Sequence, residues 1–274
     1  QLSAMFRTLI SAEQLAGRLS DASWRIVDCR FSLADTGAGR LAYAAVHIPG
    51  AVYAHLDEDL SSRIMPGKTG RHPLPGREQL IARLSAWGID EHTQVAAYDD
   101  SSGMAASRLW GLLRSLGHER VAVLDGGFAA WTAMPGAPVT AEIPAPRPRT
   151  FRPRPPIGHA VDAAQVDQLR LDPAWVLVDS REDFRYRGES EPIDPVAGHI
   201  PGAVNAYFME NLDGQSRFLS AEQLRERFLP LLGGRPAEKA VFYCGSGVSA
   251  CHNILAMAHA GLGVATLYPG SWSE

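Results

Sequence analysis

The sequence is poor in cysteine, carries no surplus of positive charge and has no long apolar run. Only three of its 274 residues are cysteine: Cys29, Cys244 and Cys251. An odd, sparse set without framework spacing argues against a disulfide scaffold and for a reducing compartment, so a cytoplasmic location is expected. There is no Cys-x-x-Cys or His-x-x-x-His pair. A zinc site is therefore not expected, and no cofactor is called for. The 26 Lys and Arg against 30 Asp and Glu leave a net charge of −4. No basic field points to nucleic acid. No apolar stretch approaches the ~20 residues that span a bilayer. The first residues, Gln1 to Arg7, lack a signal-peptide pattern. Gln1-Leu-Ser-Ala reads as a cloning remnant before a natural start at Met5.

What the chain does have is itself, twice. Val27-Asp-Cys-Arg30 matches Val178-Asp-Ser-Arg181, and His47-Ile-Pro-Gly-Ala-Val52 matches His199-Ile-Pro-Gly-Ala-Val204. Tyr98-Asp-Asp-Ser-Ser-Gly103 parallels Tyr243-Cys-Gly-Ser-Gly247. Leu124-Asp-Gly-Gly-Phe-Ala-Ala-Trp131 parallels the final Leu267–Glu274. Four matches in one order mean a tandem duplication of a domain. The period is far too long for a solenoid. His47 and His199 lie 152 positions apart, Tyr98 and Tyr243 only 145. The first half therefore carries about seven extra residues, expected in a surface loop between Ser61 and Pro75. The second half ends at Glu274, where the first half continues past Trp131, so a short further C-terminal tail is expected.

The expected domains are 1–141, a Pro/Arg-rich linker over 142–157, and 158–274. The linker, Pro144 to Pro156, reads as a semi-rigid extended spacer. Its four arginines read as solvated rather than as a nucleic-acid patch, because no aromatic platform accompanies them. Each half alternates helix and strand signals. Ser11 with Gln14 is a capping box. Strands are expected at Trp24–Asp28, Val95–Tyr98, Val121–Leu124, Trp175–Val178, Ala240–Tyr243 and Ala265–Leu267. Helices are expected at 77–88, 105–117, 221–232 and 250–261. This alternation predicts an α/β fold in which each half is a parallel-rich sheet with helices on both faces.

The chemistry gathers at Tyr243-Cys-Gly-Ser-Gly-Val-Ser249. A strand delivers Cys244 into a glycine-bearing loop, and a helix leaves the other side. Backbone N–H groups in such a loop converge on one point, and the helix N-terminus adds partial positive charge. A thiol held there is poised to ionise, and the thiolate is the nucleophile. The blander reading makes Cys244 one more small buried residue. Asp99 occupies the matching position in the first half. A carboxylate carries no transferable sulfur, so the first half is expected to be catalytically inert. Some phosphatases share a Cys-loop-helix, but they need an arginine six residues on, and Ala250 stands there.

The paired Asp-x-Arg and His-Ile-Pro-Gly-Ala-Val segments, the Cys244 loop and Tyr268-Pro-Gly-Ser-Trp272 together resemble the two-domain rhodanese sulfurtransferases over essentially the whole chain. The resemblance implies two α/β rhodanese domains, the second catalytic, with an active site facing the domain interface. It implies a ping-pong reaction in which Cys244 takes a sulfur from a small donor as a persulfide and passes it to a thiol, cyanide or a thioredoxin-like acceptor. The loop Gly245, Ser246, Gly247, Val248, Ser249 would cradle that persulfide. Family members acting on thiosulfate commonly carry Arg-Lys after the cysteine. Gly245-Ser246 here is similar instead to the 3-mercaptopyruvate sulfurtransferase pattern.

In that group a serine is proposed to form a relay with a histidine and an aspartate. Ser246 matches the serine and His47 is assigned as the histidine. Asp35 is the nearest candidate for the aspartate. Of two arginines that bind the donor there, Arg185 matches the first. The second has no counterpart in Glu191–Gly198, which lacks a basic residue. Arg71 or His72, on the long loop, is the candidate stand-in. Asp28/Arg30 and Asp179/Arg181 read as structural ion pairs, since both halves keep them. His199 reads the same way, which leaves a structural role open for His47. Cys251 reads as core, or as a partner for an oxidised Cys244. The alternatives are a thiosulfate sulfurtransferase and a non-turnover persulfide carrier serving a protein partner.

Overall fold

In a computed structural model, residues 5–274 are described. The reading of Gln1–Ala4 as a remnant, and the first four positions of the 1–141 range, lie outside them. Two compact units divide the chain. One holds the chain up to Ser62 together with Pro75–Ile157, and the other holds Arg63–Leu74 together with Gly158–Glu274.

The first unit is built on five strands: β1 (Leu9–Ile10), β2 (Trp24–Asp28), β3 (Val52–Tyr53), β4 (Gln94–Tyr98) and β5 (Val121–Leu124). Their order is β1-β5-β4-β2-β3, and every pairing is parallel. Each residue of β4 and β5 is buried, as a strand covered on both faces requires. The helices are α1 (Ala12–Ala16), α2 (Ala38–Ala45), α3 (Arg77–Ala86), α4 (Met104–Ser115) and α5 (Gly127–Ala133). Ser11 and Gln14 form the expected capping box on α1. Trp24, Tyr98 and Trp131 fill the core between these layers.

The second unit repeats the plan with four strands. They are β6 (Val176–Asp179), β7 (Val204–Asn205), β8 (Ala240–Tyr243) and β9 (Thr266–Leu267), in the order β7-β6-β8-β9, again all parallel. Its helices are α6 (Ala163–Leu169), α7 (Asp183–Tyr186), α8 (Ala221–Leu232) and α9 (Ser249–His259). In open parallel sheets, ligands bind beyond the carboxyl ends of the strands. Cys244 leaves β8 at that edge.

The repeated motifs do the same work in both units. Arg30 Nη2 donates to Asp28 Oδ2 at 2.6 Å and to the Val46 carbonyl at 2.6 Å. Arg181 Nη2 donates to Asp179 Oδ2 and to the Gly198 carbonyl, both also at 2.6 Å. Each pair thus ties its His-Ile-Pro-Gly segment to the end of a strand. Ile48 N donates to the Tyr98 hydroxyl at 3.2 Å, and Ile200 N to the Tyr243 hydroxyl at 3.1 Å.

Two segments depart from expectation. Residues 63–74, expected as a surface loop of the first half, pack in the second unit. Arg71 N donates to Ser273 Oγ at 3.0 Å. The expected linker is extended, as its prolines dictate, but it is laid along the first unit rather than free. Phe151 is buried, its N–H donates to Ser85 Oγ, and the Arg154 N–H donates to the Leu116 carbonyl. A buried aromatic anchor and backbone hydrogen bonds outweigh the solvation that its arginines favour.

Candidate active site

Strand β8 brings an all-apolar run, Ala240-Val-Phe-Tyr243, to its carboxyl end, and the chain then turns through Cys244–Val248 into α9. The turn needs a left-handed residue, and Gly247 supplies it with φ +75°. That conformation aims the Gly247 N–H at the cysteine, which it meets at 3.1 Å from Sγ. The C-terminal segment braces the loop from the other side. Cys244 N donates to Ser271 Oγ, Trp272 N to the Cys244 carbonyl and Ser273 N to the Gly245 carbonyl, at 2.9–3.1 Å.

The other two cysteines have different surroundings. Burial, reinforced by Asp99 and Asp28, pushes the Cys29 thiol well above its ordinary range. Cys251 directs its thiol at the Gly247 carbonyl, 3.4 Å away.

Ser246 is buried, and its hydroxyl lies 2.7 Å from His72 Nδ1. This replaces the expected Ser246–His47 relay. His47 is fully buried in the first unit, with Nδ1 at 2.7 Å from the Tyr43 carbonyl and Nε2 at 3.0 Å from the Glu142 carbonyl. Its ring stacks on Tyr43 at 4.1 Å. His199 repeats the arrangement, stacked on Tyr186 at 3.9 Å with Nδ1 at 2.7 Å from the Tyr186 carbonyl. Both motif histidines thus make the same contacts within their own units. Asp35, the candidate aspartate, accepts the Gly37 N–H at 3.0 Å in an exposed turn of the first unit.

Arg185 stands beside the loop but is not free. Its Nε donates to both oxygens of Glu191 at 3.1 Å, and Nη2 donates to Glu191 Oε1 at 2.8 Å. Burial disfavours the Glu191 anion, but Arg185 and the Asp194 and Ile193 N–H groups more than offset it and hold that carboxyl below its usual range. Arg71 forms an ion pair with Asp194 Oδ1, while Arg185 Nη2 reaches Asp194 Oδ2 at 3.3 Å. Gly245 lies against this cluster. An ideal Cβ there would fall 2.8 Å from Arg71 Nη2, 3.6 Å from Arg185 Nη2 and 3.7 Å from Asp194 Oδ2.

The structure thus gathers Cys244, Gly245, Ser246, Gly247, Val248, Ser249 and Arg185 in the second unit, with Arg71 and His72 added and His47 left out. Comparison with known families matches a rhodanese-like domain at residues 11–134 and again at 162–274. The chain belongs to the rhodanese family. A probable 3-mercaptopyruvate sulfurtransferase of Pseudomonas aeruginosa is 48% identical over 97% of this chain and 94% of its own. A thiosulfate sulfurtransferase of Mus musculus is 33% identical over 98% of this chain and 92% of its own. Among solved structures, the 3-mercaptopyruvate sulfurtransferase of Leishmania major superposes with a TM-score of 0.83 at 34% identity, covering 98% of this chain and 74% of that one. The protein is a sulfurtransferase of the rhodanese and 3-mercaptopyruvate sulfurtransferase type. Among the described residues, no helix of this rhodanese is long and apolar enough to cross a membrane.

Sequence reasoning named His72 only as a stand-in for an arginine. The signal that could have placed it was the seven-residue excess, which marked loop 61–75 as something the second half lacks.

Proposed function

We propose that the protein moves sulfur from 3-mercaptopyruvate through a Cys244 persulfide to a small thiol or cyanide. The observation that carries the donor assignment is Ser246, two residues beyond the cysteine, paired with His72 at 2.7 Å. The Cys244 thiolate attacks the donor sulfur and forms the S–S bond. The donor's C–S bond breaks, and its electron pair moves into the neighbouring carbonyl as an enolate. Protonation of the enolate carbon, by the proton the donor thiol gives up, yields pyruvate. The Ser246 hydroxyl, oriented by His72, is the donor for the enolate oxygen where charge develops. An acceptor nucleophile then takes the outer sulfur and expels the Cys244 thiolate, which completes a ping-pong cycle.

Arg71 and Arg185 are the groups for the donor carboxylate, which a planar guanidinium pairs with two-fold. Thiosulfate is the second reading, favoured by the same two guanidinium groups beside Gly245, which would also suit a sulfonate. Thiosulfate has no carbonyl to receive electrons, so it does not need Ser246.

The test is kcat/KM for both donors, with cyanide as acceptor, in the wild type, Cys244→Ala and Ser246→Ala. Cys244→Ala should abolish turnover of both. Ser246→Ala should lower kcat for 3-mercaptopyruvate by about 100-fold and leave thiosulfate nearly unchanged. A wild type that prefers thiosulfate by more than about tenfold, a gap of about 1.4 kcal/mol, would reverse the donor assignment. Labelling that stops at one sulfur per chain, with no turnover on cyanide, would make the protein a carrier.

A further inference from the structure

The cluster beside Gly245 holds a carboxylate where the proposed reaction needs to bring one. Asp194 is buried and spans the two arginines, pairing with Arg71 through Oδ1 and with Arg185 through Oδ2. The two arginines are not equivalent. Arg185 is buried and already pairs with Glu191 through two of its nitrogens and with Glu182 at 3.4 Å. Arg71 is a quarter exposed, and its buried Nε has no hydrogen-bond partner. A guanidinium with an unused buried donor, on a flexible side chain against the residue after the nucleophile, is prepared for a further oxygen ligand.

We propose that Asp194 is an internal carboxylate that holds Arg71 in the donor-free enzyme and is exchanged there for the carboxylate of the donor. This deepens the proposed function and rests on its assignment of Arg71. The geometry makes the exchange feasible. When Arg71 turns to a donor, Asp194 keeps Arg185 through Oδ2 and is not left as an unpaired buried charge, which would be strongly unfavourable. Asp194 then acts as a specificity-determining residue. It competes with every anion at the site, and a ligand displaces it from Arg71 only by supplying an equivalent group. A donor without an anionic group offers Arg71 nothing in return.

A test independent of sulfur transfer is the rate at which Cys244 is carboxymethylated by iodoacetate relative to its carbamidomethylation by iodoacetamide, read at that residue by peptide mass spectrometry. Both reagents use the same thiolate, so any change in its ionisation cancels in the ratio. Asp194→Asn should raise the iodoacetate to iodoacetamide ratio about tenfold, since Arg71 becomes free for the reagent's carboxylate. Asp194→Ser should do the same, and serves if Asp194→Asn does not fold. Adding Arg71→Gln to either variant should return the ratio to the wild-type value. An unchanged or lower ratio would overturn the proposal, because Asp194 would then only be fixing the arginines. A raised ratio that survives Arg71→Gln would overturn it as well, because the gain would then be a general loss of negative field. The donor assignment fails separately, in the thiosulfate comparison, whatever this ratio does.

Discussion

Replacing Gly245 with alanine tests the assigned role of Arg71 with a single methyl group. Gly245 does not use the left-handed region, so its backbone accepts an alanine without strain. The new Cβ would fall 2.8 Å from Arg71 Nη2. Ordinary contacts need about 3.5 Å, so the guanidinium must retreat by roughly 0.7 Å or more. It is the far end of a flexible side chain, so the cost to folding should stay below about 1 kcal/mol. The cost to binding is larger. One hydrogen bond to a charged group contributes about 1.5–3 kcal/mol, which is roughly 10-fold to 100-fold in affinity if it is lost outright. A displaced rather than deleted Arg71 places the expectation at the lower end. Steady-state kinetics should show KM for 3-mercaptopyruvate raised about tenfold with kcat within about threefold. Unchanged KM, within about twofold, would refute the placement of Arg71 at the donor. Gly247→Ala is the contrasting variant. Its φ of +75° and a Cβ 2.6 Å from the Pro269 carbonyl oxygen leave nothing flexible to yield. It should turn the residue 247 N–H away from Cys244 Sγ and with it abolish both turnover and alkylation of Cys244.

Arg30→Met and Arg181→Met each strand a buried aspartate, and each should lower unfolding free energy in urea by about 3–5 kcal/mol; Arg30→Met should leave the kcat of the folded fraction near wild type. His118 is buried, and burial lowers its pKa from 6.5 to about 4. The unfolded chain therefore binds the extra proton first, so stability is lost as pH falls from about 6.5 towards about 4, by up to about 3 kcal/mol. His118→Gln should flatten that part of the urea-midpoint profile, and an unchanged slope would remove His118 as its source.

The duplication made most of this fold legible, because most elements could be read twice. Helix limits moved by a residue or two, as fraying termini dictate, while the core strands of both units ran where the apolar runs put them. Cys244 and its loop were legible for a chemical reason: a strand, a glycine turn and a helix leave few other uses for a cysteine. The relay histidine was not. His47 sits in a motif that looks functional because it is polar and repeated. Repetition in a unit expected to be inert is a mark of bracing, and the Tyr43 and Tyr186 carbonyls receive both histidines alike. His72 sits in an irregular loop with no periodicity, and local sequence does not reveal which unit such a loop joins. Asp194 was hidden for a related reason. A search for a basic residue in Glu191–Gly198 passes over the acid that engages the two arginines.

The matching loop of the first unit predicts where a persulfide would be held. Asp99 follows Tyr98 as Cys244 follows Tyr243, and α4 and α9 each begin five residues later. Ser102, with φ +62°, makes the left-handed turn that Gly247 makes at +75°. In register, then, Ser101, Gly103 and Ala106 correspond to Ser246, Val248 and Cys251. Asp99 Oδ1 accepts the Ser101 and Gly103 N–H groups at 2.9 and 2.8 Å, and Oδ2 accepts that of Ala106 at 2.8 Å. Burial still lifts the Asp99 carboxyl above its usual range, against these three bonds. A carboxylate oxygen lies two bonds beyond Cβ, as does the outer sulfur of a cysteine persulfide. The Asp99 oxygens therefore mark the place of that sulfur, and the N–H groups of Ser246 and Val248 are the ones expected to face it, since that of Cys251 donates to the Val248 carbonyl at 3.0 Å. Loading Cys244 with sulfur should shift those two amide resonances downfield in ¹⁵N–¹H spectra more than their neighbours, and cyanide should reverse the shift. Shifts confined to Gly247, which already faces Sγ, would show that the two loops hold charge in different ways despite their common register.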